Sequence, residues 1–282
     1  MQLGNWQLDT VSGGTLRLDG GTMFGVVPKM LWEKVSPPDD RNRIRMDTNC
    51  VLARDGVHTV LIDTGYGGKL TERQRHFDAL ESGEPLLKSL AALNVTPEQV
   101  DYVALTHLHF DHCGGGTRHD AQGRIVPTFP EARYVVSKTE WQTATSGRPE
   151  LRGSYPTENF LVLEQAGQLD LIDPLAEIVP GLTALPAAGH TAGHLAYMLR
   201  SQGETAIYPC DLCPTTAHVR TQWCLSYDVD LLATRRRKAE LLGETADNGW
   251  LILWGHDPDV AASRVIRDKK RDFAIVDRVE RL

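Results

Sequence analysis

The sequence predicts an α/β fold in which strands end in loops that carry the chemistry. Two observations predict it. Short apolar runs rich in β-branched and aromatic residues recur in both halves of the 282-residue chain, and each half also carries helical segments. Every candidate metal-binding side chain stands just beyond such a run, where a rigid strand would deliver its loop. The densest case is Leu105–Cys113, LTHLHFDHC, which follows the run Tyr102–Leu105 and ends against Gly114-Gly115-Gly116. It places four metal-capable side chains in six residues: His107, His109, Asp111 and His112. In an extended segment His107, His109 and Asp111 share one side, Leu108 and Phe110 take the other, and His112 is offset by a turn. A line of donors plus an offset donor suits two neighbouring metal ions better than one. His58, His76 and His119 stand alone and read as surface or structural residues.

Taken in order, Trp6–Leu18 reads as a hairpin split at Gly13-Gly14. Residues 20–43 are rich in Gly and Pro and carry an apolar set around Met23, Phe24, Leu31 and Trp32. They predict a long loop with a short helical piece at most, walling a pocket or covering a sheet edge. Asn49–Arg54 and His58–Asp63 form a hairpin turning at Asp55-Gly56, and Asp63, ending a buried run, needs a polar partner. Residues 66–79 read as a loop near the cleft mouth. Pro85–Leu93 is a helix ended by Asn94, and Thr96-Pro97-Glu98 caps a shorter one. A strand lies within Phe129–Ser137, a helical or turn segment at Lys138–Thr143, and a polar surface excursion at 148–156. Leu169–Ile172 and Glu177–Leu185 are further runs, the second leading to GHTAGH. Leu195–Arg200 and Thr205–Tyr208 pair across Gln202-Gly203 and lead to Asp211. Asp230–Thr245 is the clearest helix, with Leu231, Leu232, Leu241 and Leu242 on its apolar face and Arg235–Lys238 on its solvated face. Trp250–Trp254 is a strand opening on His256, followed by a helix over Asp259–Arg267 and a last strand, FAIV.

Composition narrows the class. Hydrophobic residues make up 41% and charged residues 24%, and the formal net charge is -7, which gives no basic surface for nucleic acid. No run of about 18 apolar residues predicts a transmembrane helix. The N-terminus lacks a basic region followed by an apolar core, so a secretory signal is not expected and the cytoplasm is the expected compartment. Five cysteines, an odd number, argue against a disulfide framework, and Cys210-x-x-Cys213 has no second pair to complete a structural zinc site.

His-x-His-x-Asp-His at 107–112, with His190, Asp211 and His256 each after an apolar run and LIDTG at 61–65, resembles the metallo-β-lactamase superfamily. The resemblance covers nearly the whole chain and implies a four-layer αββα sandwich, the metallo-β-lactamase fold, as one domain over 1–282. It implies that His107, His109 and His190 hold one divalent ion, that Asp111, His112 and His256 hold a second, and that Asp211 bridges them. Nitrogen and oxygen donors suit Zn2+, with Mn2+, Fe2+ and Co2+ as alternatives. Asp63 and His194 would support the ligands. FGVVPKMLWEK at 24–34 resembles the quorum-quenching lactonase branch, which implies a hydrolase that opens lactone rings, N-acyl-homoserine lactones among them, by attack of a metal-bridging hydroxide. Asp111 would pass a proton to the leaving group. Several lactonases carry a tyrosine three residues after the bridging aspartate; here the position is Pro214, which leaves either another donor, His218 being the candidate, or the metal alone to orient the carbonyl, while Asp228 is a weaker polar candidate. The alternatives are an organophosphate triester or aryl ester hydrolase of the same fold and a metal-binding scaffold without activity. The expected partner is a small ester or lactone, with no nucleic acid and no membrane, and a homodimer is a further expectation.

Overall fold

The computed structural model describes every residue except Arg152. The first half of the chain forms β1 (Gln2–Leu3), β2 (Trp6–Asp19), the short helices α1 (Gly20–Phe24) and α2 (Lys29–Trp32), β3 (Arg43–Arg54) and β4 (Thr59–Ile62). Helices α3 (Glu72–Asp78) and α4 (Pro85–Ala92) lead to β5 (Tyr102–Ala104) and the single turn α5 (Phe110–Cys113). A small hairpin, β6 (Thr117–His119) and β7 (Ile125–Pro127), precedes β8 (Arg133–Ser137), α6 (Lys138–Ala144), α7 (Leu161–Gln165) and β9 (Leu169–Ile172). The second half forms β10 (Glu177–Val179), β11 (Leu182–Pro186), β12 (Leu195–Ser201), β13 (Glu204–Tyr208), α8 (Leu231–Asn248), β14 (Leu251–Leu253), β15 (Ala262–Asp268) and β16 (Asp272–Val279).

Two seven-stranded mixed sheets result, β1-β2-β3-β4-β5-β8-β9 and β10 through β16 in sequence order. Leu8, Val51 and Ile62 of the first sheet meet Leu182, Tyr197 and Leu253 of the second in one buried cluster. The outer face of the first sheet packs Val103 and Tyr134 against Leu86 and Leu90 of α4 and Trp141 of α6. The outer face of the second packs Met198 and Ile207 against Leu241 of α8. This is the four-layer αββα sandwich. Each fully buried Leu or Ile here contributes about 1.5–3 kcal/mol relative to exposure, which is why both faces of each sheet are apolar.

Several local expectations need correcting. Gly13-Gly14 does not turn a hairpin: β2 runs straight through as one 14-residue strand paired with β3, with a bulge between Ser12 and Thr15. The glycines are there because Tyr66 crosses so close that a Cβ on Gly14 would lie 2.1 Å from its hydroxyl. Residues 72–78, read as loop, form α3 under a Thr71–Gln74 capping box. The helix expected at 259–267 is the strand β15, in which Val265 is buried between exposed Arg264 and Ile266, a two-residue period. On α8, Lys238 leaves the solvated face: it is 1% exposed, and its ammonium donates to the carbonyls of His218 and Trp223 and to Cys224 Sγ. Leu232, assigned to the apolar face, is 71% exposed.

Candidate metal centre

The loops that build the site are set by the sheets. Strand β5 lies between β4 and β8 in parallel register, so the chain leaves it from the interior of the first sheet. Leu105 N donates to Val135 O, and Thr106 N donates to Asp63 Oδ1 at 2.8 Å. Asp63 sits at φ 58, a left-handed conformation that a short side chain tolerates by bonding nearby backbone. Its other oxygen is 3.0 Å from His112 Nδ1. The alternating geometry expected for 107–111 stops at His109, which precedes the first turn of α5, so Asp111 and His112 leave from a helix rather than from extended chain. Gly115 lets that turn close: a Cβ there would lie 2.1 Å from Thr64 O.

From the second sheet come His190 after β11, Asp211 after β13 and His256 after β14. Glu140 ties the two contributions together, a role with no motif to mark it in the sequence. It is fully buried on α6, accepts from Leu108 N at 3.1 Å, from Thr191 Oγ1 at 2.6 Å and from Gly193 N at 3.2 Å, and is raised in pKa by burial.

All seven candidate ligands converge. The donor atoms of His107, His109 and His190 lie within 4.8 Å of one another, and so do those of Asp111, His112 and His256. Asp211 stands between the sets: its Oδ2 is 3.2 Å from His190 Nε2 and 3.8 Å from His107 Nε2, while its Oδ1 is 3.0 Å from His256 Nε2. The arrangement fits metal ions. His107 Nε2 is buried with no hydrogen-bond partner. His190 Nε2 faces His109 Nδ1 at 3.0 Å, and His256 Nε2 faces His112 Nε2 at 3.1 Å. Both pairs aim their ring nitrogens at a common point, as imidazole donors to a metal do. Burial, then the neighbouring histidines, hold His107 and His109 well below the usual imidazole range, so both are neutral donors. Burial would raise Asp211, but His112, His256 and His190 bring it well below the ordinary carboxylate range. This is a dinuclear metal site.

The far nitrogens are anchored, which fixes each ring's direction. His190 Nδ1 is 3.0 Å from Asp228 Oδ1, His256 Nδ1 is 2.8 Å from Asp47 O, and His107 Nδ1 is 3.0 Å from Thr106 Oγ1. His194 is buried with neither nitrogen bonded, its ring 4.8 Å from that of His107, and burial lowers it to about 3. His107, His194 and Cys210 also offer donors to one point. Burial pushes the Cys210 thiol up, and its Sγ lies 3.3 Å from Thr106 Oγ1 and 3.3 Å from His112 Nδ1. All five cysteines are free and buried.

His218 is placed differently from the expectation at the pocket. It is fully buried behind the wall, stacked on Phe24 at 4.6 Å, with Nδ1 2.8 Å from Thr215 Oγ1 and Nε2 2.9 Å from Met23 O. It reaches the cleft only through Met23. Pro214 O accepts from His256 N at 3.0 Å, so that position braces a donor from the backbone.

The metal donors open into a cleft of about 390 Å³. Leu18, Met23, Met46, Phe110 and Leu225 form an apolar wall, and Leu151, Tyr155, Tyr227 and Asp78 complete the lining. Of the apolar loop at 23–32, only Met23 lines the cleft; Phe24 and Trp32 pack into a core with Tyr66 and Trp223, and Met30 is 65% exposed. The excursion at 148–156, of which Arg152 lies outside the described residues, is cleft lining as well as surface, and the Tyr155 ring lies 5.2 Å from that of His109. Burial, then the charge of Asp111, raises Asp78 to about 6.

Residues 43–256 match the Metallo-beta-lactamase superfamily model. The chain belongs to that superfamily. Among solved members it is similar to a "probable metal-dependent hydrolase" from Staphylococcus aureus, with 31% identity, a TM-score of 0.92, and coverage of 100% of this chain and 99% of that one. It shares the fold of AidC, a dizinc quorum-quenching lactonase solved with a product, at 21% identity and a TM-score of 0.81, over 98% of this chain and 95% of that one. It is also similar to the N-acyl homoserine lactonase AttM of Azorhizobium caulinodans, 26% identical over 192 residues, 65% of this chain and 68% of that protein. In this superfamily member the donor set of a dinuclear metal-dependent hydrolase is complete, and no helix is long and apolar enough to cross a membrane.

Proposed function

We propose that this protein is a lactonase that opens the rings of lactones bearing an apolar tail, N-acyl-homoserine lactones among them. The observation that carries the reading is Asp211 standing between the two donor sets, its Oδ2 3.2 Å from His190 Nε2 and 3.5 Å from His112 Nε2 and its Oδ1 3.0 Å from His256 Nε2, at the floor of a cleft with one apolar wall. His107, His109 and His190 would hold one ion, Asp111, His112 and His256 the other, and Asp211 would serve both, a nitrogen and oxygen donor set that suits Zn2+. When bound, such a pair brings a water's pKa toward neutrality and polarises an ester carbonyl.

The chain's own residues do the rest. Asp111 Oδ2, 3.6 Å from His112 Nε2 and 3.9 Å from His256 Nε2, is placed to carry a proton to the departing alkoxide. Leu18, Met23, Met46, Phe110 and Leu225 hold the tail and keep water from it. Tyr227 lines the cleft with its hydroxyl donating to Thr22 Oγ1 at 3.0 Å, so with Pro214 in place of a tyrosine the substrate carbonyl would be left to the metal pair. His218 acts as a positioning residue through Met23 O. The similarity to AttM supports the substrate class. We place the enzyme in the cytoplasm, as a single domain over 1–282 that pairs as a homodimer.

The test is pH-stat hydrolysis by metal-replete protein of a homologous lactone series beside an aryl ester, a phosphotriester and a glutathione thioester. Turnover of lactones with the highest kcat/KM supports the reading. Absent lactone turnover with rapid phosphotriester cleavage overturns it.

A further inference from the structure

A second cavity, of about 520 Å³, lies beside the cleft, and Met46 lines both. Its floor is apolar, with Ile44, Val219, Phe273 and Ile275, while Arg45, Arg220, Arg271 and Arg278 stand around it. Two acids also line it, and both are engaged. Asp257 accepts from Thr216 N and Oγ1 with one oxygen and from Asp259 N and Val260 N with the other, and Asp259 is 3.6 Å from Arg45. Arg220 stacks over Trp223, 4.6 Å from the ring centroid. Among the described residues no carboxylate pairs with Arg220, Arg271 or Arg278. Three unmatched guanidinium groups around an apolar floor are out of keeping with a chain of net charge -7. None of the seven metal donors lines this cavity.

We infer that the cavity is a binding site for an amphipathic carboxylate, its head on Arg220, Arg271 and Arg278 and its apolar body on Phe273, Ile275 and Val219. Guanidinium forks match carboxylates in geometry and charge, and a volume of this size accepts a small organic molecule. A medium-chain fatty acid is one source. The ring-opened acyl acid released by lactone hydrolysis is the other, and only that second source rests on the lactonase reading.

The experiment titrates metal-loaded protein with octanoate and, separately, with N-octanoyl-homoserine, following the fluorescence of Trp223, with Trp223→Phe as the blank. The comparison protein is Arg271→Glu/Arg278→Glu. Both residues are exposed, so the fold and aryl-ester turnover are retained. Saturable binding that weakens by about tenfold or more on charge reversal supports the site, as does much weaker binding of octanol. Equal octanoate affinity in the charge-reversed protein overturns it, as does octanol binding as tightly as octanoate or inorganic phosphate alone binding as tightly. Octanoate binding in a protein that hydrolyses no lactone upholds this site while the lactonase reading fails.

Discussion

Asp228 Oδ1 lies 3.0 Å from His190 Nδ1, and the two side chains are 1% and 2% exposed. The carboxylate holds the ring so that Nε2 is turned toward Asp211 and His109. Such partners govern how tightly a ligand holds its ion. Asp228→Asn is expected to lower metal affinity by roughly 10–100-fold. Competition with a chelator measures it, and retention equal to the unaltered protein would remove Asp228 from the support of the centre.

Asp211→Ala takes away the carboxylate that stands within 3.5 Å of His190, His112 and His256, between the two donor sets. Metal analysis should show both ions depleted, with activity down by orders of magnitude. His256→Ala should empty mainly the site of Asp111 and His112, whereas His194→Ala should leave both filled. Equal loss in the two histidine variants would place His194 among the ligands.

The cleft wall should be read in KM. A tail held equally in ground and transition states contributes about 0.8 kcal/mol per buried methylene, and uniform binding of this kind lowers KM without raising kcat. Leu225→Ala and Met23→Ala should therefore raise KM for long-tailed lactones and leave short ones unchanged. A change in kcat alone, the same for every tail, would show that the wall does not contact the tail.

His218 gives a signed dependence on pH. Burial lowers it to about 3 in the folded protein, below the unfolded value of about 6.5. Between those values the unfolded chain binds more protons, so His218 costs stability as pH falls below about 6.5. His218→Asn should be less stable at pH 7, because Met23 O and Thr215 Oγ1 lose a ring partner. By pH 5 the gap should narrow by about 2 kcal/mol, from about 1.4 kcal/mol per pH unit. Urea midpoints at the two pH values decide it; a gap that stays constant would show that His218 titrates normally.

The Lys238 side chain is buried, and its nitrogen donates to two backbone carbonyls and one sulfur. Lys238→Ala leaves the carbonyls of His218 and Trp223 without their donor, at about 1–3 kcal/mol each. Urea denaturation should show a loss within that range or above it. Wild-type stability in the variant would mean that water takes over both carbonyls.

The ligand loops were legible because metal chemistry concentrates rare side chains at strand ends: His107 through His112, His190, Asp211 and His256 all meet where the sequence placed them. What supports them was much less legible. Glu140 looks like any helical glutamate, and Asp228 is one acid among several until the fold sets it beside His190. His218 looked like a cleft residue because a polar stretch surrounds it, yet Phe24 and Met23, 194 and 195 residues away in sequence, determine where it sits. Lys238 follows three arginines that suggest a solvated face, and helix periodicity turns it inward. The strand at 262–268 is hard to read because its alternation is short, with only Val265 buried between exposed neighbours.

Half of the centre is local and half is remote. His107, His109, Asp111 and His112 leave one loop of the first sheet, while His190, Asp211 and His256 arrive from three separate strands of the second. An incomplete chain that has not yet made β11 to β14 owns four donors but neither full set. A metal ion gripped from both sides acts as a clasp across the seam of the sandwich, and any momentary parting of the two sheets opens the clasp. The rate at which metal escapes into excess chelator is therefore a clock for that parting, readable without a substrate and without unfolding the protein.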